Sequence, residues 1–108
     1  MMEVTAWNNG YHAVTGGGYG LEIKVVDRDR YFDKEWKTVR IALAGIHDEI
    51  EIYIVESFFW EGDCPALTGQ SIGLWLIENR YAPWPKRKPP RFRLEPDGDA
   101  RFGLEKID

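Results

Sequence analysis

Apolar and polar residues alternate with a period of two in four separate stretches of this chain, and that period is what a half-buried β-strand imposes on its sequence. Val39, Ile41 and Leu43 alternate with Thr38, Arg40 and Ala42, and Ile50, Ile52 and Ile54 alternate with Glu51, Tyr53 and Val55. Phe92 and Leu94 alternate with Arg91 and Arg93, and Phe102 and Leu104 with Arg101 and Glu105. The spacing joins them into two hairpins. A four-residue loop, Gly45-Ile46-His47-Asp48, sets Leu43 opposite Ile50, Ile41 opposite Ile52 and Val39 opposite Ile54. The other face then pairs Arg40 with Tyr53 and Ala42 with Glu51 and stays wetter. Pro96-Asp97-Gly98 reads as a three-residue loop that places Phe92 opposite Phe102.

Val4, Ala6 and Trp7 suggest a first strand that stops at the turn-prone Asn8-Asn9-Gly10. Leu21, Ile23 and Val25 alternate with Glu22 and Lys24, and the charged run Asp27 to Arg30 closes that strand. One helix is expected. Thr68 caps it, Ile72, Trp75, Leu76 and Asn79 recur at i, i+3, i+4 and i+7, and Pro83 and Pro85 stop it. With no internal repeat or linker, residues 1–108 form one α+β domain. Its expected architecture is a mainly antiparallel sheet of five to six strands with one α-helix packed on it.

The chain is 44% hydrophobic and 30% charged, as a folded, water-soluble protein is. No apolar run approaches the ~20 residues that span a bilayer. The opening MMEVTAWNNG has neither a basic n-region nor an apolar h-region, and Cys64 is the only cysteine, so no internal disulfide forms. These features point to a cytoplasmic protein that does not associate with membranes.

Charge is unevenly placed. The stretch Asn79 to Leu94 holds six of the 14 basic residues, four of the 6 prolines and no acid, which leaves 8 basic against 18 acidic residues elsewhere. Lys86, Arg87, Lys88, Arg91 and Arg93 are interleaved there with Tyr81, Trp84 and Phe92. Cations interleaved with rings suit single-stranded nucleic acid, whose phosphates and bases they would meet, but they suit an acidic protein surface equally. A proline-rich extended ligand for an aromatic groove is a further reading. The bland reading is a solvated connection between helix and strand with Trp84 docked on the core.

Other motifs are weaker. Gly16-Gly17-Gly18-Tyr19-Gly20 precedes a strand, whereas a phosphate-cradling loop opens a helix, so it reads as a connection. Cys64, His12 and His47 are the only material for a thiol nucleophile and base. Cys64 precedes the expected helix cap, where a helix N-terminus would lower its pKa. Glu56, Glu61 and Asp63 beside Phe58-Phe59-Trp60 offer carboxylates next to rings, but spacing within one loop does not define a cleft. No CxxC or HxxxH spacing is present, and neither a metal nor another cofactor is expected.

The leading expectation is a non-catalytic protein-interaction module. Its contact surface joins Tyr81, Trp84, Lys86, Arg87, Lys88, Arg91 and Arg93 with Arg40 and Tyr53 of the hairpin, and its partner is an acidic protein surface or a second copy. The alternatives are a single-stranded nucleic-acid binder and, behind it, a cysteine-dependent enzyme.

Overall fold

The computed structural model describes residues 2–10, 13–43, 49–55, 57–85 and 87–107. Seven strands form one sheet: β1 (Met2–Asn8), β2 (Tyr19–Glu22), β3 (Thr38–Leu43), β4 (Glu49–Tyr53), β5 (Ala66–Thr68), β6 (Arg91–Pro96) and β7 (Arg101–Lys106). Three helices join them: α1 (Val25–Tyr31), α2 (Ser57–Glu61) and α3 (Gln70–Glu78). The strand order is β4-β3-β7-β6-β1-β2-β5. The sheet curls nearly into a barrel, so that a Cβ built on Gly69, just after β5, would come 3.0 Å from Ile52 Cδ1 on the opposite edge. No helix among the described residues is long and apolar enough to cross a membrane.

The α+β character is as expected; strand count, direction and helix count differ. The seventh strand, β5, is three residues long, too short to show alternation, and pairs with β2 through Leu21 and Leu67. The sheet is mixed because β3 and β7 run parallel, with Ile41 beside Phe102 and Leu43 beside Leu104. These partners lie some sixty residues apart, and sequence pattern carries no signal for such a pairing.

Both hairpins keep the expected faces but shift in register. In the first, Val39 lies opposite Ile52 and Ile41 opposite Ile50, two residues away from the expected pairing. Because a shift of two preserves which side each residue faces, Val39, Ile41, Ile52 and Ile54 are all buried. Arg40 lies opposite Glu51, and Tyr53 opposite Thr38. The loop expected at Gly45 to Asp48 lies outside the described residues. In the second hairpin, Pro96 pairs with Phe102 and Phe92 with Lys106. Here the turn is centred on Asp99, two residues beyond the centre of Pro96-Asp97-Gly98. The Asp97 amide donates to Arg101 O at 2.8 Å, and Gly98 and Ala100 take φ of 113° and 55°. Gly98 thus opens the turn and Ala100 takes the left-handed position that closes it, which a reading that gave Gly98 the closing position does not foresee.

Val25 and the charged run after it do not continue and close a strand; they form α1. Its buried side is carried by Arg28, which is 7% exposed, and the helix ends at the buried Phe32. An arginine on the inward face hides the helical period from any search for apolar residues. Its burial is satisfied: Arg28 Nη1 donates to Phe59 O at 2.9 Å and Gly62 O at 3.1 Å, while Nε meets Asp29 at 3.0 Å. The fork thereby ties α1 to carbonyls in and just after α2 that would otherwise lack partners.

The main helix, α3, carries the expected stripe, with Ile72, Trp75 and Leu76 buried. Its N-cap is Gly69 and not Thr68, which belongs to β5. Asn79 is the C-cap, and the chain leaves through a Schellman arrangement: the Tyr81 amide donates to Leu76 O at 2.8 Å and the Arg80 amide to Ile77 O at 3.1 Å. Arg80 holds the left-handed position at φ 61°. The helix therefore ends at its own cap, before either proline.

The glycine-rich connection crosses α3. A Cβ on Gly73 would lie 2.0 Å from Gly16 O, and one on Gly16 2.7 Å from Gln70 O, so backbone meets backbone directly. Gln70 Nε2 fixes the crossing by donating to Thr15 O at 2.9 Å. These glycines allow a loop to lie directly on a helix.

Candidate interaction surface

The basic stretch begins as the chain leaves α3, and its rings are drawn inward. Tyr81 lies 5.3 Å from both Trp75 and Phe92, centroid to centroid, and Trp84 stands edge-on to the buried Tyr19 at 5.8 Å. Both rings remain half-buried, packed against the core. Burial pushes the Tyr19 phenol above its usual pKa, as desolvation does to any group that must become charged. Anchored in this way, the chain turns at once: the Lys88 amide donates to Pro85 O at 3.0 Å, with Arg87 in the left-handed region at φ 65°. Arg87 and Lys88 are exposed on that turn, and Lys86 lies outside the described residues.

Downstream the cations are neutralised. Arg91 Nη1 lies 3.0 Å from Glu3 Oε1; Arg93 meets Glu105 at 3.3 Å and Glu95 at 3.8 Å. The strand register causes this, since Arg93 sits between Glu3 on β1 and Glu105 on β7. Arg101 is held likewise by Glu49, at 2.8 and 3.0 Å. Such exposed pairs contribute about 0–1 kcal/mol each, yet they cancel most of the field that a bare row of arginines would project. Arg80, Arg87 and Lys88 have no ion pair among the described residues, and neither has Arg40.

Arg40 and Tyr53 share the solvent-facing side of the sheet with Arg91 and Arg93, but not the same corner. Arg40 is level with Arg101 on β7, whereas the Arg91 carbonyl accepts from Ile107, at the far end of that strand. Six residues of strand separate the two levels by ~20 Å. The surface expected as one is therefore two corners, with paired charges between them.

Beside Tyr53, the second corner contains residues that the sequence did not single out for contact, Val55 and Trp36 among them. Tyr53 and Val55 are 65% and 56% exposed at the β4 edge. Beside Val55 opens a groove of about 480 Å³ lined by Lys34, Glu35, Trp36, Lys37, Val55 and Trp60. Trp36 falls in the charged run Asp33-Lys34-Glu35-Trp36-Lys37, which has no alternation to mark it.

Cys64 is exposed, and β5 lies between it and α3 along the chain. His12, His47 and Glu56 lie outside the described residues, while Glu61 and Asp63 are solvated. Among the described residues no three His, Cys, Asp or Glu side chains come together as a metal site would require. No family model, curated protein or solved structure matches this chain.

Proposed function

We propose that this protein is a non-catalytic interaction module that binds an acidic surface of another protein through the turn after α3, with Arg80, Arg87 and Lys88 as the contacting cations. One observation carries the reading: these cations lack carboxylate partners among the described residues, whereas Arg91, Arg93 and Arg101 are each paired. Trp84 and Tyr81 serve as the anchor that holds the turn in place and are not themselves the contact. A preset turn loses less conformational entropy on binding than a free segment would, which favours affinity. Attraction to an acidic partner acts over about 10 Å at ordinary salt, so association is fast and salt-sensitive.

A single-stranded nucleic acid would require rings with free faces. Tyr81 and Trp84 instead engage Trp75, Phe92 and Tyr19, which favours the protein partner. The test is covalent capture from a native lysate with the wild-type chain and with Arg87→Glu/Lys88→Glu, alongside titration with a single-stranded oligonucleotide at low salt. The expected result is capture of an acidic protein that the double variant loses, with no oligonucleotide binding. Capture unaffected by the charge reversal contradicts the proposal, and oligonucleotide binding that falls steeply with salt replaces it with the nucleic-acid reading.

A further inference from the structure

Where β1 ends, the chain presents the dipeptide Asn9-Gly10 at its surface. Asn8, the last residue of β1, pairs with Tyr19, and the ladder runs one bond further as the Asn9 amide donates to Gly18 O at 2.9 Å. Asn9 and Gly10 are both exposed. Gly10 takes φ of 102°, and a Cβ built on it would meet nothing within 4 Å, so neither a side chain nor a neighbour crowds its amide nitrogen on that side. Asn9 lies against a second glycine: a Cβ on Gly18 would come 2.6 Å from Asn9 Nδ2 and 2.7 Å from Cγ and Oδ1. The carboxamide thus rests across Gly18, and the Gly10 amide is held in turn by donating to Asn8 Oδ1 at 2.7 Å.

From these contacts we infer that Asn9 is a site of spontaneous deamidation, and that Asn8 restrains the reaction while the chain is folded. Hydroxide removes the Gly10 amide proton, the nitrogen attacks Asn9 Cγ to close a cyclic imide, and Nδ2 departs as ammonia after taking a proton from water. A further water opens the imide at one of its two carbonyls. Release of the Gly10 nitrogen from Cγ gives aspartate; release from the Asn9 backbone carbon gives isoaspartate. Two contacts oppose the first step. The hydrogen bond to Asn8 Oδ1 favours the N–H form over the nucleophilic anion, and a carboxamide oxygen is too weak a base to take the proton itself. Contact with Gly18 also restricts rotation of the Asn9 carboxamide, which the attack needs. Either product adds one negative charge to a chain of net charge −4, and isoaspartate adds a backbone atom where β1 leaves its ladder with β2. None of this depends on what the basic turn binds.

The test is incubation of the full chain at mildly alkaline pH, with and without urea, as wild type, Asn8→Ala and Asn8→Asp, followed by peptide mapping of aspartate and isoaspartate at position 9. Asn8 ends its strand and is only partly buried, so both variants are expected to fold, and circular dichroism checks that they do. The expected result is conversion at position 9 that is slow in the folded wild type and faster in urea. Asn8→Ala raises the folded rate about fivefold, as the loss of one hydrogen bond implies, whereas Asn8→Asp keeps an acceptor and is no faster than the wild type. In urea the three convert alike. Absence of conversion at position 9 in urea overturns the site, and a wild type that converts as fast folded as unfolded overturns the restraint. A folded Asn8→Ala no faster than the wild type, or an Asn8→Asp as fast as Asn8→Ala, overturns the role given to Asn8.

Discussion

Arg28 shows what one residue can hold together. Its side chain is 7% exposed, and its Nη1 supplies both Phe59 O and Gly62 O. Replacing it with methionine keeps the length and removes the donors. The expected cost is about 2–3 kcal/mol, because two carbonyls lose a charged partner, and urea unfolding measures it directly. Tyr19 makes a prediction in pH. Its folded phenol titrates above the unfolded one, whose value is about 10, so the folded state holds the proton more tightly. The resulting stability is whole below about pH 10 and is lost as pH rises through the folded pKa. Unfolding midpoints should therefore fall on the alkaline side in the wild type, and fall less in Tyr19→Phe. Equal slopes in the two proteins would show that Tyr19 is not the group responsible.

Among the elements, α3 and the connection across it depend on a missing side chain. Gly73→Ala should raise helix propensity by about 1 kcal/mol, yet its Cβ would stand 2.0 Å from Gly16 O. Backbone on both sides cannot turn away as a flexible side chain can, so a net loss of about 2–3 kcal/mol is expected by chemical denaturation. The same elements show how far a sequence can be read. The stripe of Ile72, Trp75 and Leu76 was legible because burial on one side of a helix writes its period into the sequence. The alternation in β3, β4, β6 and β7 was legible for the same reason. Register was not, since shifting a hairpin by two residues leaves the inside–outside pattern intact. Two further features escaped notice. Arg28 disguised α1 by placing charge on the inner side, and β5 was too short to show a period. As for the candidate surface, its concentration of charge was visible in the sequence. That Glu3 and Glu105 would neutralise Arg91 and Arg93 depended on strand order, which was not.

At the scale of the whole molecule, the curled sheet sorts its surface into three regions. A middle belt pairs arginine with glutamate, one corner displays Arg80, Arg87 and Lys88, which have no ion pair among the described residues, and another displays the apolar groove beside β4. The basic segment that stands out in the sequence is thus divided: its rings stabilise the core, its strand arginines are neutralised, and the contact we propose falls to its turn. The most direct measurement is site-specific photo-crosslinking in the native lysate, with the photoreactive residue placed at Arg87 in one sample and at Arg93 in another. A discrete crosslinked protein is expected from position 87 and little or none from position 93. Equal crosslinking at both positions, or crosslinking at 93 alone, would contradict the proposed contact.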